Sequence, residues 1–179
     1  MASILNVDQI NNAAGTSAIT IDSNGNALMP GHVVQVKNAL KTNKQTITST
    51  LFIDITDLSV SITPSSTSSK IIVIANLHVG HDTINYCLCN IVRDSTAIGQ
   101  PSGSNLYPAT MNSYTGDNVS GGLAIMNSGM TLLDTPNTTN ATTYKIQART
   151  TSGTATINGR PANGNGATVS SITVMEIAQ

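Results

Sequence analysis

Apolar and polar residues alternate at every second position along most of this chain, and no stretch keeps the 3.6-residue period of an amphipathic helix. Val33-Val34-Gln35-Val36 follows Pro30-Gly31 and opens the main body. From Gln45 to Ile55 the pattern places Ile47, Leu51, Ile53 and Ile55 on one side and Thr46, Thr48 and Thr50 on the other. Leu58, Val60 and Ile62 alternate with Ser59, Ser61 and Thr63 before a turn at Pro64–Ser69. Ile71-Ile72-Val73-Ile74-Ala75 is a continuous apolar run, which predicts a strand buried on both faces. Further strands are predicted over 85–93, 119–126, 129–133, 142–150, 154–158 and 169–177. In the last of these, Ile172, Val174 and Glu176 share a face. Between them, 99–118 holds Gly99, Pro101, Gly103, Pro108 and Gly116 and reads as a long loop with room for one small strand. About eight to ten short strands separated by turn clusters predict an all-β, antiparallel sandwich or jelly roll over 31–179.

Residues 1–30 read as a separate unit. Ile4, Val7 and Ile10 are followed by Ile19 and Ile21 alternating with Thr20 and Asp22, then by a turn centred on Asn24-Gly25, then by Leu28. Two short strands and a turn are unstable alone in water. Their six apolar side chains therefore need a partner, and three copies wound about an axis would supply one. The expectation is a short N-terminal β-stalk, with Ile4, Val7, Ile10, Ile19, Ile21 and Leu28 as trimer or anchor contacts.

Composition sharpens this picture. The chain has 179 residues, of which 39% are hydrophobic, enough for a real core. Only 9% are charged, against about 25% in an average soluble domain. Ser, Thr and Asn take the place of charges, which suits turns and the solvent face of β-structure. A weakly charged surface is poorly defended against association, so a subunit of an assembly is expected. A net charge of −1 and 3% aromatics, with no Trp, argue against nucleic-acid binding. No apolar run approaches the ~20 residues that cross a bilayer, and the N-terminus lacks a secretion pattern. The expected place of synthesis is a cytoplasm, with exit only inside a particle.

Few residues promise chemistry. Cys87 and Cys89 share one strand face, but their spacing and the lack of a second pair do not suit zinc, and parallel side chains disfavour a disulfide. They read as small buried hydrophobes, with no metal and no cofactor expected. No Gly-x-Ser-x-Gly elbow occurs, and Asp54 with Asp57 reads as a strand end rather than a catalytic pair. The chain is read as non-enzymatic, with no catalytic residues. Tyr107 and Tyr114 fall in the Gly/Pro-rich loop and are the candidates for contacts outside the body; the alternative is that they pack that loop onto the sandwich.

Four strings, in two regions of the chain, carry a resemblance. Ser3-Ile4-Leu5-Asn6-Val7-Asp8-Gln9-Ile10 with Ile19-Thr20-Ile21-Asp22-Ser23-Asn24-Gly25 resembles the N-terminal segment of tail-fibre and appendage proteins of tailed phages, marine ones especially. Ser61-Ile62-Thr63-Pro64-Ser65-Ser66-Thr67-Ser68-Ser69-Lys70-Ile71 and Ser171-Ile172-Thr173-Val174-Met175-Glu176 look like the globular domain of the same proteins. The resemblance implies a virion structural protein: a homotrimer with an intertwined stalk and a jelly-roll head. The expected role is a short tail fibre or appendage subunit that contacts other virion proteins and a host surface glycan or protein. A capsid decoration protein or head fibre is the alternative.

Overall fold

A computed structural model describes residues 6–21, 23, 25, 27–82, 85–103, 107–115, 124–161 and 166–179. Among them there is no helix, and the strands are β1 (Gln9–Asn11), β2 (Ser17–Ile21), β3 (Ala27–Leu28), β4 (Val33–Lys41), β5 (Gln45–Ile47), β6 (Ile53–Ile62), β7 (Lys70–His81), β8 (Asn85–Arg93), β9 (Thr96–Ile98), β10 (Met111–Thr115), β11 (Ile125–Asp134), β12 (Thr142–Thr150), β13 (Ala155–Ile157) and β14 (Ser170–Ile177). Every pairing among them is antiparallel.

Two sheets make the body. Sheet I runs β11–β7–β14–β4 and sheet II runs β10–β8–β12–β6. Taken in chain order, the eight strands β4, β6, β7, β8, β10, β11, β12 and β14 pair first with last, second with seventh, third with sixth, and fourth with fifth. That is an antiparallel ribbon rolled into two layers, the jelly roll. The remaining strands extend it. β9 pairs with β8 beyond the end of β10. β13 continues the line of β14 along β7, and β5 pairs with β13. Sheet I therefore contains two interrupted lines, broken at 42–44 and at 158–169. β1–β2–β3 form a third, separate sheet.

Register explains the core. Across β11–β7–β14–β4, one inner row reads Asp134, Ile71, Glu176, Gln35. The next inner rows are Leu132, Val73, Val174, Lys37 and then Met130, Ala75, Ile172, Ala39. Leu77 then lies beside Ser128, and Ser170 beside Lys41. Apart from Lys37, which is exposed on the edge strand β4, the inner face is apolar in the middle and polar at both ends. Sheet II answers with Ile55, Leu58, Val60, Ile62, Cys87, Cys89, Ile91, Tyr144, Ile146 and Ala148. Tyr144 reaches the first polar row: its hydroxyl donates to Asp134 Oδ2 at 2.6 Å, and Arg93 grips the same carboxylate at 2.8 and 2.9 Å. Burial and the adjoining Asp134 carboxylate push the Tyr144 phenol far above its usual range.

Glu176 fills the same row and is fully buried. Its Oε1 accepts from the Ser65 backbone N–H at 2.7 Å and from the Ser65 and Ser69 hydroxyls, each at 2.6 Å; Oε2 accepts from Gln35 Nε2 at 2.6 Å. All four of these donors are neutral. Burial works to raise the carboxyl's pKa, but the hydroxyl and amide donors prevail and hold it below the ordinary glutamate value. The contact pins the 64–69 turn, where the chain passes from sheet II to sheet I.

Several expectations need correcting. The stretch 45–55 is broken: Ile47 and Ile55 are in the core, but residues 48–52 are not strand and Leu51 is 76% exposed, with Ile53 exposed as well. Asp54 lies at the start of β6, as expected, but Asp57 sits inside the strand. The pairing of β6 with β12 slips between Ser59↔Lys145 and Asp54↔Gln147, and Asp57 has φ +65° at that irregularity. A bulge there shifts the buried parity from Ile55 to Leu58. β7 is fully buried on its inner face only; Ile72 and Ile74 on the outer face are half-buried. Ile125–Asp134 is one strand rather than two, and 119–123 lies outside the described residues.

The role of Glu176 has a direct test. Glu176→Ala removes the acceptor of the Ser65 N–H and of the Ser65 and Ser69 hydroxyls, of which Ser69 is buried, and a loss of about 1–3 kcal/mol is expected from urea unfolding midpoints at pH 7. Because the folded-state pKa lies below the unfolded one, this contribution is present above the ordinary glutamate pKa of 4.5 and fades as pH falls through the lower folded value. A midpoint unchanged by the substitution would refute it.

Candidate contact surfaces

Tyr107 and Tyr114 are each 41% exposed, and both meet Tyr86. Tyr86 stacks on Tyr114 with ring centroids 4.4 Å apart, and Tyr107 tilts against it at 5.5 Å. Tyr114 is not on a loop: it lies on β10, directly opposite Tyr86 on β8. The three rings form one half-exposed aromatic patch at the edge of sheet II. The rings pack on one another and still present aromatic area to solvent.

The segment around them is more structural than its composition suggested. Thr110, Met111 and Ser113 are buried. Thr110 Oγ1 donates to the Ile98 carbonyl at 2.7 Å and accepts from the Ile91 N–H at 3.1 Å. Asn90 Oδ1 accepts from the Thr110 N–H and from Gln100 Nε2. Residues 104–106 and 116–123 lie outside the described residues.

Ser113 Oγ lies 3.0 Å from His81 Nε2, the spacing of a nucleophile and its base. Both side chains are buried, however, and they come from opposite sheets. The pair is a cross-sheet link closed to substrate. His81 Nδ1 is buried without a hydrogen-bond partner, and burial pushes the imidazole pKa down to about 4, with Asp82 opposing. Cys87 and Cys89 lie on the core face of β8, free and fully buried, with Sγ atoms 3.9 Å apart. The neighbouring Cys87 and burial push the Cys89 thiol well up, so it stays protonated and inert. Among the described residues, no group of three His, Cys, Asp or Glu side chains could hold a metal ion.

The expected N-terminal contacts are divided. Ile10 is 47% exposed, while Val7, Ile19 and Ile21 are half-buried. Leu28 pairs through its backbone with Thr20, and Ile4 lies outside the described residues. The small sheet is linked to the body at its base: the Gly31 N–H donates to the Ala178 carbonyl, and the Ala178 N–H to the His32 carbonyl.

The outer faces of the two sheets differ, which the alternation did not reveal. On sheet II, Ser59 and Ser61 face Lys145 and Thr143, while Lys145 and Gln147 both donate to Asp54 at 2.8 Å. On sheet I, the row outside the Glu176 row is apolar across all four strands: Leu133, Ile72, Met175, Val36. Leu133 and Val36 are 61% and 53% exposed. Ile74 and Leu40 add to this face. A period of two shows which residues share a face, but only the strand order shows that four apolar positions form one row.

No family model and no curated protein matches the chain. Among the solved structures to which it is similar are two at low identity. One is the Eiger TNF from S. frugiperda, at 8% identity and a TM-score of 0.38, covering 80% of this chain and 94% of that one. The other is from the infectious bursal disease virus Gx strain, at 14% identity and a TM-score of 0.34, covering 90% of this chain and 46% of that one. This chain thus spans under half the length of the viral one. The jelly-roll assignment stands on strand pairing without either.

Two measurements follow. Unfolded histidine titrates near 6.5, so lowering the pH from about 6.5 to 4 protonates the unfolded chain and not buried His81. Stability should drop by about 3 kcal/mol across that window, at about 1.4 kcal/mol per pH unit. His81→Gln should flatten the slope; an equal slope in the variant would show that another group titrates. Separately, exchanging Gly99–Asp117 for a short Gly-Ser linker should lower the melting temperature by several degrees, because it removes β10 and the Ser113 link. An unchanged melting temperature would return the segment to a dispensable loop.

Proposed function

We propose that the chain is a non-enzymatic structural subunit of a phage virion, assembled as a homotrimer and serving as a short tail fibre or appendage. The observation that carries this reading is the asymmetry of the outer faces. One is dressed with Lys, Gln, Ser and Asp; the other carries an exposed apolar row across four strands. A contiguous apolar strip on a soluble sheet marks an interaction surface. The three-stranded N-terminal sheet supports the same reading, because three, five and two residues with no second layer bury too little to be self-sufficient. Threefold order and the virion setting come from the resemblance of both regions to tail-fibre and appendage proteins. On this reading, residues 1–30 anchor the subunit to another virion protein, and the jelly roll faces outward toward a host surface.

The second reading is a head decoration or cement protein. The apolar row on sheet I suits it as well, because a flat apolar face can lie against a shell protein. Antibody labelling of intact particles separates the two: signal at the tail supports the appendage, and signal over the whole shell supports decoration.

Light scattering of the purified protein should give about three times the 18.5 kDa of one chain. Leu133→Asp together with Val36→Asp should shift the mass toward one chain without lowering the folded signal, since both side chains are already solvent-exposed. A wild-type mass of one chain sinks the trimer. A chain beginning at Gly31 should fold but fail to join particles that lack the protein; incorporation at the full-length level would move the anchor into the jelly roll.

A further inference from the structure

The two interruptions in sheet I lie side by side. Asn158 follows β13 with φ +62°, and its Nδ2 donates to the Lys41 carbonyl at 2.7 Å and the Asn43 carbonyl at 3.1 Å. Its Oδ1 accepts from the Ser170 hydroxyl at 2.6 Å, so the excursion that leaves the sheet at 158 is closed where β14 begins. That excursion turns back over the outer face of β7. A Cβ on Gly80 would meet the Gly159 carbonyl oxygen at 2.2 Å and Pro161 Cδ at 3.1 Å, so only glycine permits the approach. Gly159 in turn is packed against the Lys44 stem, where a Cβ would meet Cε at 2.6 Å.

Beneath this crossing is a pocket of about 490 Å³ lined by Lys44, Thr46, Asp82, Thr154, Thr156, Arg160 and Pro161. Its size suits one sugar residue or a short stretch of oligosaccharide. Two cations, three threonines and one carboxylate line it, with no aromatic ring. Arg160 is half-buried; its Nε is closed to solvent and has no hydrogen-bond partner, so a ligand would meet the Nη end of the guanidinium. Asp82 Oδ1 is already engaged by the Thr154 N–H at 2.8 Å.

We infer that this pocket binds an acidic sugar, with Arg160 and Lys44 taking the carboxylate and the threonines and Asp82 taking ring hydroxyls. A guanidinium matches a planar carboxylate, and the hydroxyl-rich wall matches a polyol better than an apolar ligand. The pocket and the exposed apolar row share one sheet face but are eight residues apart along β7, from Gly80 to Ile72, which is about 26 Å. Both can be used at once. The inference names the class of surface ligand and rests on the proposed outward-facing role. Binding in solution does not depend on virion assembly, so the two ideas fail separately.

The test is calorimetric titration of the full-length protein with a galacturonate trisaccharide, its neutral methyl ester and inorganic phosphate. Binding of the acid form is expected, weakened about tenfold or more by esterification and by Arg160→Gln, and less by Lys44→Gln, with melting temperatures showing that both variants remain folded. No binding of the acid at millimolar concentration, or equal binding by Arg160→Gln, overturns the site. Phosphate that displaces the trisaccharide with equal affinity overturns the sugar assignment, leaving a simple oxyanion pocket. Particles that adsorb normally with Arg160→Gln would leave the pocket intact and count against the host-contact role alone.

Discussion

A carboxylate buried among neutral donors is an unusual way to tie a sheet to the turn that leads into it, and much of this jelly roll depends on it. An ion pair would cost two desolvations and leave geometry loose; four short hydrogen bonds on one carboxylate cost one desolvation and fix three segments. Glu176 belongs to β14, Gln35 to β4, and Ser65 and Ser69 to the turn between β6 and β7. That turn carries the chain from one sheet to the other, so the register of β7 starts from it. β7 pairs with β11, β14 and β13 and is the central strand of sheet I. An error in its register would turn its whole buried set to the other face.

The opposite end of the inner face meets the same problem with a cation. Lys41 is fully buried, and its ammonium donates to Asn43 Oδ1 at 2.6 Å and Thr56 Oγ1 at 2.8 Å, with Asp57 at 3.8 Å. Burial lowers its pKa and Asp57 works against that. The bulge in β6 has a purpose in this light: it places Thr56 and Asp57 beside the ammonium. Apolar middle rows between polar ends give the sandwich a defined height, because sliding either sheet would bury a charge against aliphatic side chains.

The sequence made the strands legible where burial is one-sided. Tyr144, Ile146 and Ala148 alternate without interruption, and β12 pairs with β8 from Tyr144 to Thr150. Legibility failed where the tertiary partner decides. Leu51 continues an alternating pattern, yet the chain leaves the sheet at 48 and nothing covers the side chain. Tyr114 sits in a Gly/Pro-rich stretch, but β8 offers an open edge and β10 pairs with it. Glu176 was visible on the core face beside Ile172 and Val174, and the serine string at 65–69 was conspicuous; that the two answer each other across 111 residues could be seen only in the fold. The pocket residues were invisible for the same reason, because Lys44 and Arg160 come from two separate breaks in the sheet.

On the proposed reading, these breaks separate structure from recognition. A continuous β13–β14 line would have covered β7 with one regular edge and left a smooth outer face. Instead the chain leaves at Asn158 and returns at Ser170, and the polar atoms exposed by the departure are satisfied locally by the Asn158 amide and the Ser170 hydroxyl, which also accepts from the His78 N–H at 3.0 Å. The sheet therefore loses little by the interruption, since the backbone groups flanking the break retain partners. The excursion is then free to vary in length and chemistry while the Glu176 end holds the register. On the proposed reading, the apolar face serves assembly and the far end serves the ligand, with the core rows between them.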